Sequence, residues 1–313
     1  MSASEEYELQ RGRRAVRLSS PERELWPGEG ITKGDLWSYY RDVAPVIVPH
    51  LRNRPFTMKR YREGVAKPFF FQKDAPKGMP DWIPTRTFRT WPRGGKGESR
   101  LVDFPLVNDE LALLWMVQMH CIDMNAWYSR VDRPERPDFV LFDLDPPDGG
   151  FADAIRVAHL IRELMEELEL DCFVKTSGAD GIHVVVPIAR RSGYDETYAF
   201  AEAASRLLEQ RHDGLVTTEW LIKKRRGVLV DHRQNGHGKT IASAYSVRPK
   251  PGAPVSTPLD WDELTEDVRP ADFTMASTLE RVARRGDLWE PVLHGRQALA
   301  QARRRLDRLT HEP

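Results

Sequence analysis

The sequence predicts a mixed α/β (α+β) protein whose central part follows the order β-α-β-β-α-β. Three observations support this: an apolar run typical of a buried strand at 139–145, two segments with helical spacing of apolar residues, and a glycine-containing turn between two short strands. This is the ferredoxin-like order, in which the first strand lies between the third and the last. Residues at the ends of these strands are therefore expected to meet on one patch of the sheet.

The central elements follow from local patterns. Phe139 to Asp145 is a strand stopped by two prolines, and Asp153 is the expected N-cap of the helix after it. The turn from Ser177 to Gly181 joins two strands into a hairpin. The predicted strands are 139–145, 172–176, 183–188 and 228–231, and the predicted helices are 152–170 and 196–211.

The flanking regions carry weaker signals. A helix is predicted over 33–48, with short strands at 56–60 and 69–72, while the apolar run 111–119 fits either a helix or a strand. A basic surface helix is predicted over 294–309. We expect a single domain with an N-terminal lobe (about 1–125), a catalytic core (about 126–270) and a C-terminal helical region (about 271–313).

Composition excludes several classes of protein. The 313 residues carry 47 basic and 47 acidic side chains, so nucleic-acid affinity must come from local patches rather than from net charge. Two cysteines, Cys121 and Cys172, provide neither a disulfide framework nor a four-thiolate zinc site. The N-terminal region is polar and no apolar run is long enough to span a membrane, so we expect a cytoplasmic location without membrane association.

Three carboxylates carry the chemistry. Asp143 and Asp145 share one face of a strand, about 6–7 Å apart along the chain, and repel each other unless a cation lies between them. The topology places Asp231, at the end of another strand, beside them. Two divalent ions held by such carboxylates serve phosphoryl or nucleotidyl transfer, and the oxygen donors favour manganese or magnesium. The alternative is a solvated strand end that begins a turn.

The segment from Ser177 to His183 has the features of a phosphate site. Its backbone amides and hydroxyl could hold phosphate oxygens beside an imidazole, although such a turn is also common in plain hairpins. A triphosphate would need cations as well. The candidates are Lys59, Arg60, Lys175, Lys239 and Arg248.

Three basic patches occur at 52–62, 86–100 (including Arg93 and Lys96) and 223–226. Interleaved with them are aromatic residues, notably Phe69 to Phe71. Together they indicate a track for phosphates with stacking side chains for bases. The alternatives are solvated surfaces for the patches and a core position for the phenylalanines, and the glycine-rich segment 91–98 is interpreted as a mobile loop.

The motifs Asp143-Leu-Asp145-Pro, Ser177-Gly-x-x-Gly-x-His183 and Val-Asp231, in this order, resemble those of archaeo-eukaryotic primase-polymerases. More narrowly, the chain is similar to the bacterial polymerase domain of the ligase D end-joining system. The similarity runs from Glu24-Leu-Trp-Pro to Tyr245-Ser-Val-Arg248 and thus covers most of the chain. It implies a primase-polymerase fold with the βαββαβ core and an N-terminal α/β lobe.

The resemblance also implies a function. A template-dependent nucleotidyltransferase of this kind fills short gaps and extends broken DNA ends, with two manganese (or magnesium) ions and with NTPs or dNTPs as substrates, ribonucleotides being favoured. By motif position, Asp143, Asp145 and Asp231 are catalytic metal ligands. The implied nucleotide contacts are Lys59, Ser177, Gly178, His183, Gln234 and Arg248. The implied DNA contacts are Arg23 and Lys33 on the 5′-phosphate, Phe70, Phe71 and Lys73 near the template, and Lys224 and Arg225 on a primer-positioning loop.

The sequence departs from the family pattern at three points. Asn125 stands where a histidine near the sugar is common, and Asp180 stands where the glycine turn usually has a basic residue. The chain has no Lys-x-Asp-Gly ligase motif, so the expected partners are gapped or broken DNA and a separately encoded ATP-dependent ligase such as ligase C, with Ku as a further partner. The rival functions are a phosphohydrolase or glycosyltransferase and, outside the enzymes, a non-catalytic module that binds DNA ends or gaps.

Overall fold

The computed structural model of the chain describes residues 6–91 and 98–311. Its helices are α1 (Lys33–Leu51), α2 (Glu110–Gln118), α3 (Phe151–Glu167), α4 (Tyr194–Arg211), α5 (Met275–Arg285) and α6 (Leu299–His311). Its strands are β1 (Glu8–Arg11), β2 (Arg14–Arg17), β3 (Glu24–Trp26), β4 (Ile31–Thr32), β5 (Phe56–Arg60), β6 (Phe70–Gln72), β7 (Thr85–Thr90), β8 (Arg100–Pro105), β9 (Cys121–Trp127), β10 (Phe139–Asp145), β11 (Phe173–Thr176), β12 (Ile182–Pro187), β13 (Val216–Thr217), β14 (Val228–Val230), β15 (Thr240–Ala242) and β16 (Pro258–Leu259).

The chain divides into two units. The first contains residues 1–127, 240–254 and 274–284, and the second contains 128–239, 255–273 and 285–313, each within the described residues. No helix of the described part of the chain is long and apolar enough to cross a membrane. The predicted glycine-rich loop includes 92–97, with Arg93 and Lys96, which lie outside the described residues.

The second unit is built on one six-stranded sheet with the order β13-β14-β10-β12-β11-β16. Strand β10 pairs antiparallel with β12 on one side and with β14 on the other, and β11 and β12 form an antiparallel hairpin. This confirms the predicted βαββαβ core with its first strand in the middle. The edge strands β13 and β16 were not predicted, because each has only two residues and shows no alternation.

One face of this sheet is packed against helices. Alternate residues of β10, namely Val140, Phe142 and Leu144, are buried in one apolar cluster with residues of α3 and α4. Helix α3 begins after Gly150, which makes no side-chain cap, so the prediction of Asp153 as N-cap was wrong and Asp153 lies in the first turn. Burial of alternate residues on one face leaves the odd-numbered residues of β10 on the opposite face.

The prediction of a basic surface helix over 294–309 needs correction. The α-helix begins only at Leu299, after a short 3₁₀ segment at Glu290–His294. Leu299, Ala302 and Leu306 are buried in the same cluster as the sheet. Their spacing of three and four residues places them on one side of the helix, so α6 contributes to the core of the second unit.

The first unit contains a four-stranded sheet with the order β15-β9-β5-β6 and three two-stranded pairs. Helix α1 begins with a capping box, in which Thr32 and Asp35 bond each other's backbone amides. The ambiguous apolar run forms helix α2, capped by Asp109 and buried from Leu111 to Val117. Burial on all sides explains why its sequence has no helical periodicity.

We predict that Gly181→Ala destabilises the second unit by about 1–3 kcal/mol, because a β-carbon at Gly181 would lie 2.1 Å from the carbonyl oxygen of Leu144. Urea denaturation of both proteins measures this difference. The matched control is Gly236→Ala, where the nearest atom to an added β-carbon is 3.5 Å away on the Lys239 side chain. Equal stability of the two variants would contradict the close packing of the hairpin turn on β10.

Candidate active site

The pairing of four strands places a row of polar side chains across the second unit's sheet. Asp143 on β10 lies opposite His183 on β12, and His183 lies opposite Lys175 on β11. On the other side of β10, the amide of Asp231 donates to the carbonyl of Asp143 over 2.8 Å, directly after β14 ends. Residues directly opposite on antiparallel strands share a face, so these side chains form one row.

Contacts within the row are close. Nε2 of His183 lies 3.2 Å from Oδ1 of Asp143. Nζ of Lys175 lies 2.6 Å from Nδ1 of His183 and 2.5 Å from Oγ of Ser256. His183 and Lys175 are 3% and 2% exposed, respectively. Lys175, a candidate phosphate contact from sequence, is therefore engaged inside the protein by His183 and Ser256.

The three carboxylates lie at the solvent-accessible end of the row. The side chains of Asp143 and Asp231 are 15% and 20% exposed, and Asp145, two residues beyond Asp143 on the same face, is exposed. Loss of bulk water around its carboxylate, followed by repulsion from Asp143 and then from Asp231, raises the pKa of Asp145 to about 7. The arrangement concentrates negative charge at one place, which a cation would relieve.

The donor set fits a hard divalent cation. Carboxylate oxygens are the ligands that magnesium and manganese prefer, and at nucleotide sites such ions are usually held by one or two carboxylates together with substrate phosphates. Within residues 6–91 and 98–311, no group of three or more His, Cys, Asp or Glu side chains is arranged to hold a metal ion. The oxygens of Asp143, Asp145 and Asp231 fit coordination that is shared with a substrate.

The segment after Asp231 is fixed to β10 by side-chain bonds. Oδ1 of Asp231 accepts from the amide of Arg233, and a 3₁₀ turn follows at His232–Asn235. Asn235 then accepts from the amide of Leu141 and donates to its carbonyl, over 2.9 and 2.7 Å. Its amide group thus continues the ladder where β14 has ended, which holds Asp231 in register. Gln234 lies within this turn.

Several backbone amides of the hairpin turn are already hydrogen-bonded within the turn. Oγ of Ser177 accepts from the amides of Ala179 and Gly181, both over 3.1 Å, and the amide of Ser177 donates to the carbonyl of Gly181. Gly178 has a φ of 70°, in the left-handed region that favours glycine. These amides close the turn itself, whereas the sequence suggested that they would be available to phosphate.

The other implied nucleotide contacts, Lys59 and Arg248, belong to the first unit. Nζ of Lys59 lies 3.4 Å from Oδ2 of buried Asp123 and 4.2 Å from the ring centre of Phe69. Asn125, at the position of the expected histidine, is buried and donates to the carbonyl of Asp123. The structure therefore brings together the carboxylates, Ser177, Gly178, His183 and Gln234 in one unit, and Lys59 and Arg248 in the other.

Lys33 forms an unusual cationic spot in the first unit. It is 1% exposed, and its ammonium donates to two neutral oxygens, the carbonyl of Ser19 and Oε1 of Gln118, over 3.1 and 2.9 Å. Burial and the charge of Arg23 lower its pKa to about 8. A buried ammonium beside a second cation favours the binding of an anion.

The exposure of two phenylalanines decides between the surface and the core positions that the sequence left open. Phe70 and Phe71 are 39% and 57% exposed, so they are surface residues. The guanidinium groups of Arg60 and Arg62 lie 5.2 and 5.1 Å from the ring centre of Phe70. Lys73 is exposed one residue beyond β6.

The basic patch at 52–62 is not continuous, however, because two of its arginines are only 4% and 6% exposed. These are Arg54, which donates to the carbonyl of Trp127, and Arg60, which donates to the carbonyl of Met119. Burial of their guanidinium groups satisfies backbone carbonyls within the first unit. The sequence could not distinguish these two from the exposed Arg52 and Arg62.

A second exposed region combines apolar and basic side chains in the second unit. Trp220 and Ile222 are 61% and 80% exposed, beside a 3₁₀ turn that contains Lys224. Lys224 is exposed, while Arg225 donates to the carbonyl of Trp220. Large exposed apolar residues next to cations are typical of surfaces that bind unpaired bases and phosphates.

The sequence did not predict the contacts of Lys175 with His183 and with Ser256 within the row. The hairpin register places Lys175 opposite His183, a pairing that could have been counted from the turn. Ser256 lies 81 positions from Lys175 in the sequence, and no local pattern indicates its contact.

Comparison with known proteins adds a family. Residues 32–289 match the family described as the LigD primase-polymerase domain. The multifunctional non-homologous end joining protein LigD of Mycolicibacterium smegmatis is 31% identical over 282 residues, 88% of this chain and 36% of that protein. The bifunctional LigD of Bacillus subtilis is 30% identical over 274 residues, 87% of this chain and 43% of that protein. The chain therefore spans less than half the length of these relatives.

A solved structure is also similar. The polymerase domain of Mycobacterium tuberculosis ligase D in complex with DNA superposes with a TM-score of 0.82 at 30% identity, covering 90% of this chain and 99% of that one. This agreement confirms the mixed α/β fold expected from the resemblance.

We predict that Asp145→Asn stabilises the protein at pH 8 but not at pH 4. The carboxyl group of Asp145 has a pKa of about 7 in the folded protein and about 3.9 in the unfolded chain. Between these pH values the folded state keeps a proton that the unfolded chain has released. The free energy of unfolding therefore falls as pH rises through this interval. Because Asp145 is exposed and water screens the repulsion, the expected gain is about 1 kcal/mol.

Urea denaturation in EDTA at the two pH values measures this gain. Asp148→Asn is the control, since it removes an exposed carboxylate from the turn that follows β10. A stabilisation by Asp145→Asn of equal size at both pH values would contradict a raised pKa of Asp145 in the folded protein.

Proposed function

Because the chain belongs to the LigD primase-polymerase domain family, we propose that it is a template-dependent nucleotidyltransferase that fills short gaps and extends DNA ends in repair. Non-homologous end joining and excision gap repair are the two settings for this activity, with ribonucleotides as preferred substrates. The observation that carries the proposal is the set of three carboxylates, Asp143, Asp145 and Asp231, at adjacent strand ends, where loss of water around Asp145 and then repulsion from its neighbours raise the pKa of Asp145.

Asp143, Asp145 and Asp231 would hold two manganese or magnesium ions. When bound, these ions supply charge neutralisation of the triphosphate and activation of the primer 3′-hydroxyl. The protein holds the negative charges in fixed positions before substrate binds. Strand β10 positions Asp143, and the hydrogen bonds between Asn235 and Leu141 hold the segment that carries Asp231. A neighbouring cation would favour the ionised form of Asp145, whose pKa is about 7.

The nucleotide contacts proposed in the second unit are Ser177, Gly178, His183 and Gln234. What supports a place for His183 in this set is its position beside the carboxylates, with Nε2 3.2 Å from Oδ1 of Asp143. Lys59 and Arg248 are the proposed triphosphate cations of the first unit. Lys59 is oriented by Asp123 and by the rings of Tyr61 and Phe69.

The proposed DNA contacts use different chemistry. Arg23 and Lys33 form the proposed cationic spot for the 5′-phosphate of the downstream strand, whose negative charge would stabilise the buried ammonium. Phe70 and Phe71 present exposed rings on which template bases can stack, with Lys73 beside them. Lys224 and Arg225 contact the primer and template. An ATP-dependent DNA ligase that seals the product is a proposed partner, and Ku is a further proposed partner.

We expect Asp143→Ala to lower templated nucleotide incorporation by at least about a thousandfold, since it removes charge placed for the transferring phosphate. The assay uses a labelled duplex with a short gap and a 5′-phosphate, single ribo- or deoxynucleotides, and manganese or magnesium. Asp148→Ala is the matched control. Affinity for the gapped duplex should change less than about threefold, because Asp143 makes no proposed DNA contact.

Three outcomes bear on the proposal. Extension by the unmodified chain and by Asp148→Ala alone supports a polymerase. Binding of the duplex without extension by either would favour a non-catalytic module for DNA ends or gaps. Loss of binding together with activity in Asp143→Ala would make the carboxylates structural.

Lys33→Met should remove most of the preference for a 5′-phosphorylated gap over a 5′-hydroxyl gap. A hydrogen bond to a charged group contributes about 1.5–3 kcal/mol, so the preference should fall by about tenfold or more. Fluorescence anisotropy with the two duplexes measures it, and the exposed Lys67→Met is the control for removal of a lysine. An unchanged preference in Lys33→Met would show that the phosphate binds elsewhere.

A further inference from the structure

Lys175 occupies a position in the polar row that phosphate binding does not explain. It lies on β11, opposite His183, and only 2% of it is exposed. Its ammonium contacts the side chains of His183 and Ser256. A lysine buried in this way affects other side chains of the protein rather than a ligand in solvent.

Counting donors and acceptors sets the direction of each hydrogen bond. Oγ of Ser256 donates its single proton to the carbonyl of Thr176 over 2.8 Å, so it accepts from Lys175. An ammonium has three donors and no acceptor, so Nδ1 of His183, at 2.6 Å, must also accept from Lys175. The ring proton of a neutral His183 then lies on Nε2.

Nε2 is the nitrogen that lies 3.2 Å from Oδ1 of Asp143. With its proton there, the ring presents a donor to the carboxylate. With the other tautomer, a lone pair on Nε2 would point at the carboxylate oxygen, and the two would repel each other. The tautomer of His183 therefore decides whether Asp143 is held in place or pushed away.

We propose that Lys175 is a positioning residue that fixes His183 in the Nε2–H tautomer and thereby orients Asp143. This inference rests on the proposed function for its effect on catalysis. Ser256 completes the arrangement, because its bond to Thr176 directs its lone pair to the ammonium and so orients Lys175 towards Nδ1. No proton is transferred along the row; each group holds the next by a directed hydrogen bond.

The first test needs no variant. The nitrogen shifts of histidine rings distinguish a nitrogen that bears a proton from one that bears a lone pair. The protein labelled with ¹⁵N-histidine is measured without nucleotide or metal, and the His183 signals are assigned by their absence from His183→Gln. We expect Nε2 to bear the proton. A proton on Nδ1, or averaging between the two nitrogens, overturns the proposal.

The second test uses Lys175→Met, which preserves much of the side chain's length without donors. We expect the His183 signals to lose their single-tautomer pattern, and kcat for nucleotide incorporation to fall by about 10–100-fold, the usual effect of losing a residue that orients a ligand. The KM for nucleotide should change less than about threefold. Ser256→Ala removes the group that orients the ammonium but keeps Lys175, so it is expected to change the His183 signals less than Lys175→Met does.

The outcomes separate the roles. A raised KM with unchanged His183 signals would make Lys175 a phosphate contact and overturn the proposal. A folded Lys175→Met protein with unchanged kcat and unchanged signals would overturn it as well. If Lys175→Met does not fold, the tautomer in the unmodified protein decides. If the unmodified protein does not extend primers, the proposed function fails, while the tautomer measurement still tests the role of Lys175.

Discussion

Antiparallel pairing of β10 with both β12 and β14 is the constraint on which the rest of the site depends. The pairing fixes which residue lies opposite which, and it aligns Lys175, His183, Asp143 and Asp231 across four strands. A shift of β12 by one residue against β10 would turn His183 to the core face and bring Val184 into the row. The apolar residues that alternate with the polar ones prevent such a shift, since they are buried against α3 and α4.

Positive and negative charges lie at opposite ends of the row. Lys175 brings a positive charge to one end, and Asp143, Asp145 and Asp231 bring three negative charges to the other. His183 lies between them and contacts both Lys175 and Asp143. Loss of water around Asp145 and then the excess of negative charge raise the pKa of Asp145, and a bound cation would favour its ionised form.

Much of this arrangement could be predicted from the sequence. The strand at Phe139–Asp145, the hairpin and the central place of β10 follow from apolar runs and turn residues, and these alone bring the three aspartates together. The hydrogen bonds within the turn could not be predicted, because the bonds of Ser177 depend on where the Gly181 amide lies. The helix α6 was placed on the surface because its arginines dominate its composition, while three apolar residues decide its packing. Contacts between distant segments, such as Ser256 with Lys175, leave no local pattern.

Two buried lysines show how neighbours decide the role of one residue type. Lys33 and Lys175 are 1% and 2% exposed, and each donates to uncharged groups. The neighbouring charge with the largest effect on the pKa of Lys33 is that of another cation, Arg23. An added anion would therefore stabilise this spot. Lys175 lies in a row that already ends in carboxylates, so its charge is compensated within the protein, and its directed bond to Nδ1 becomes its main effect. From the sequence alone, both are basic residues expected near phosphates. The surrounding charges favour the proposed role of Lys33 in binding an anion and the proposed role of Lys175 in orienting His183.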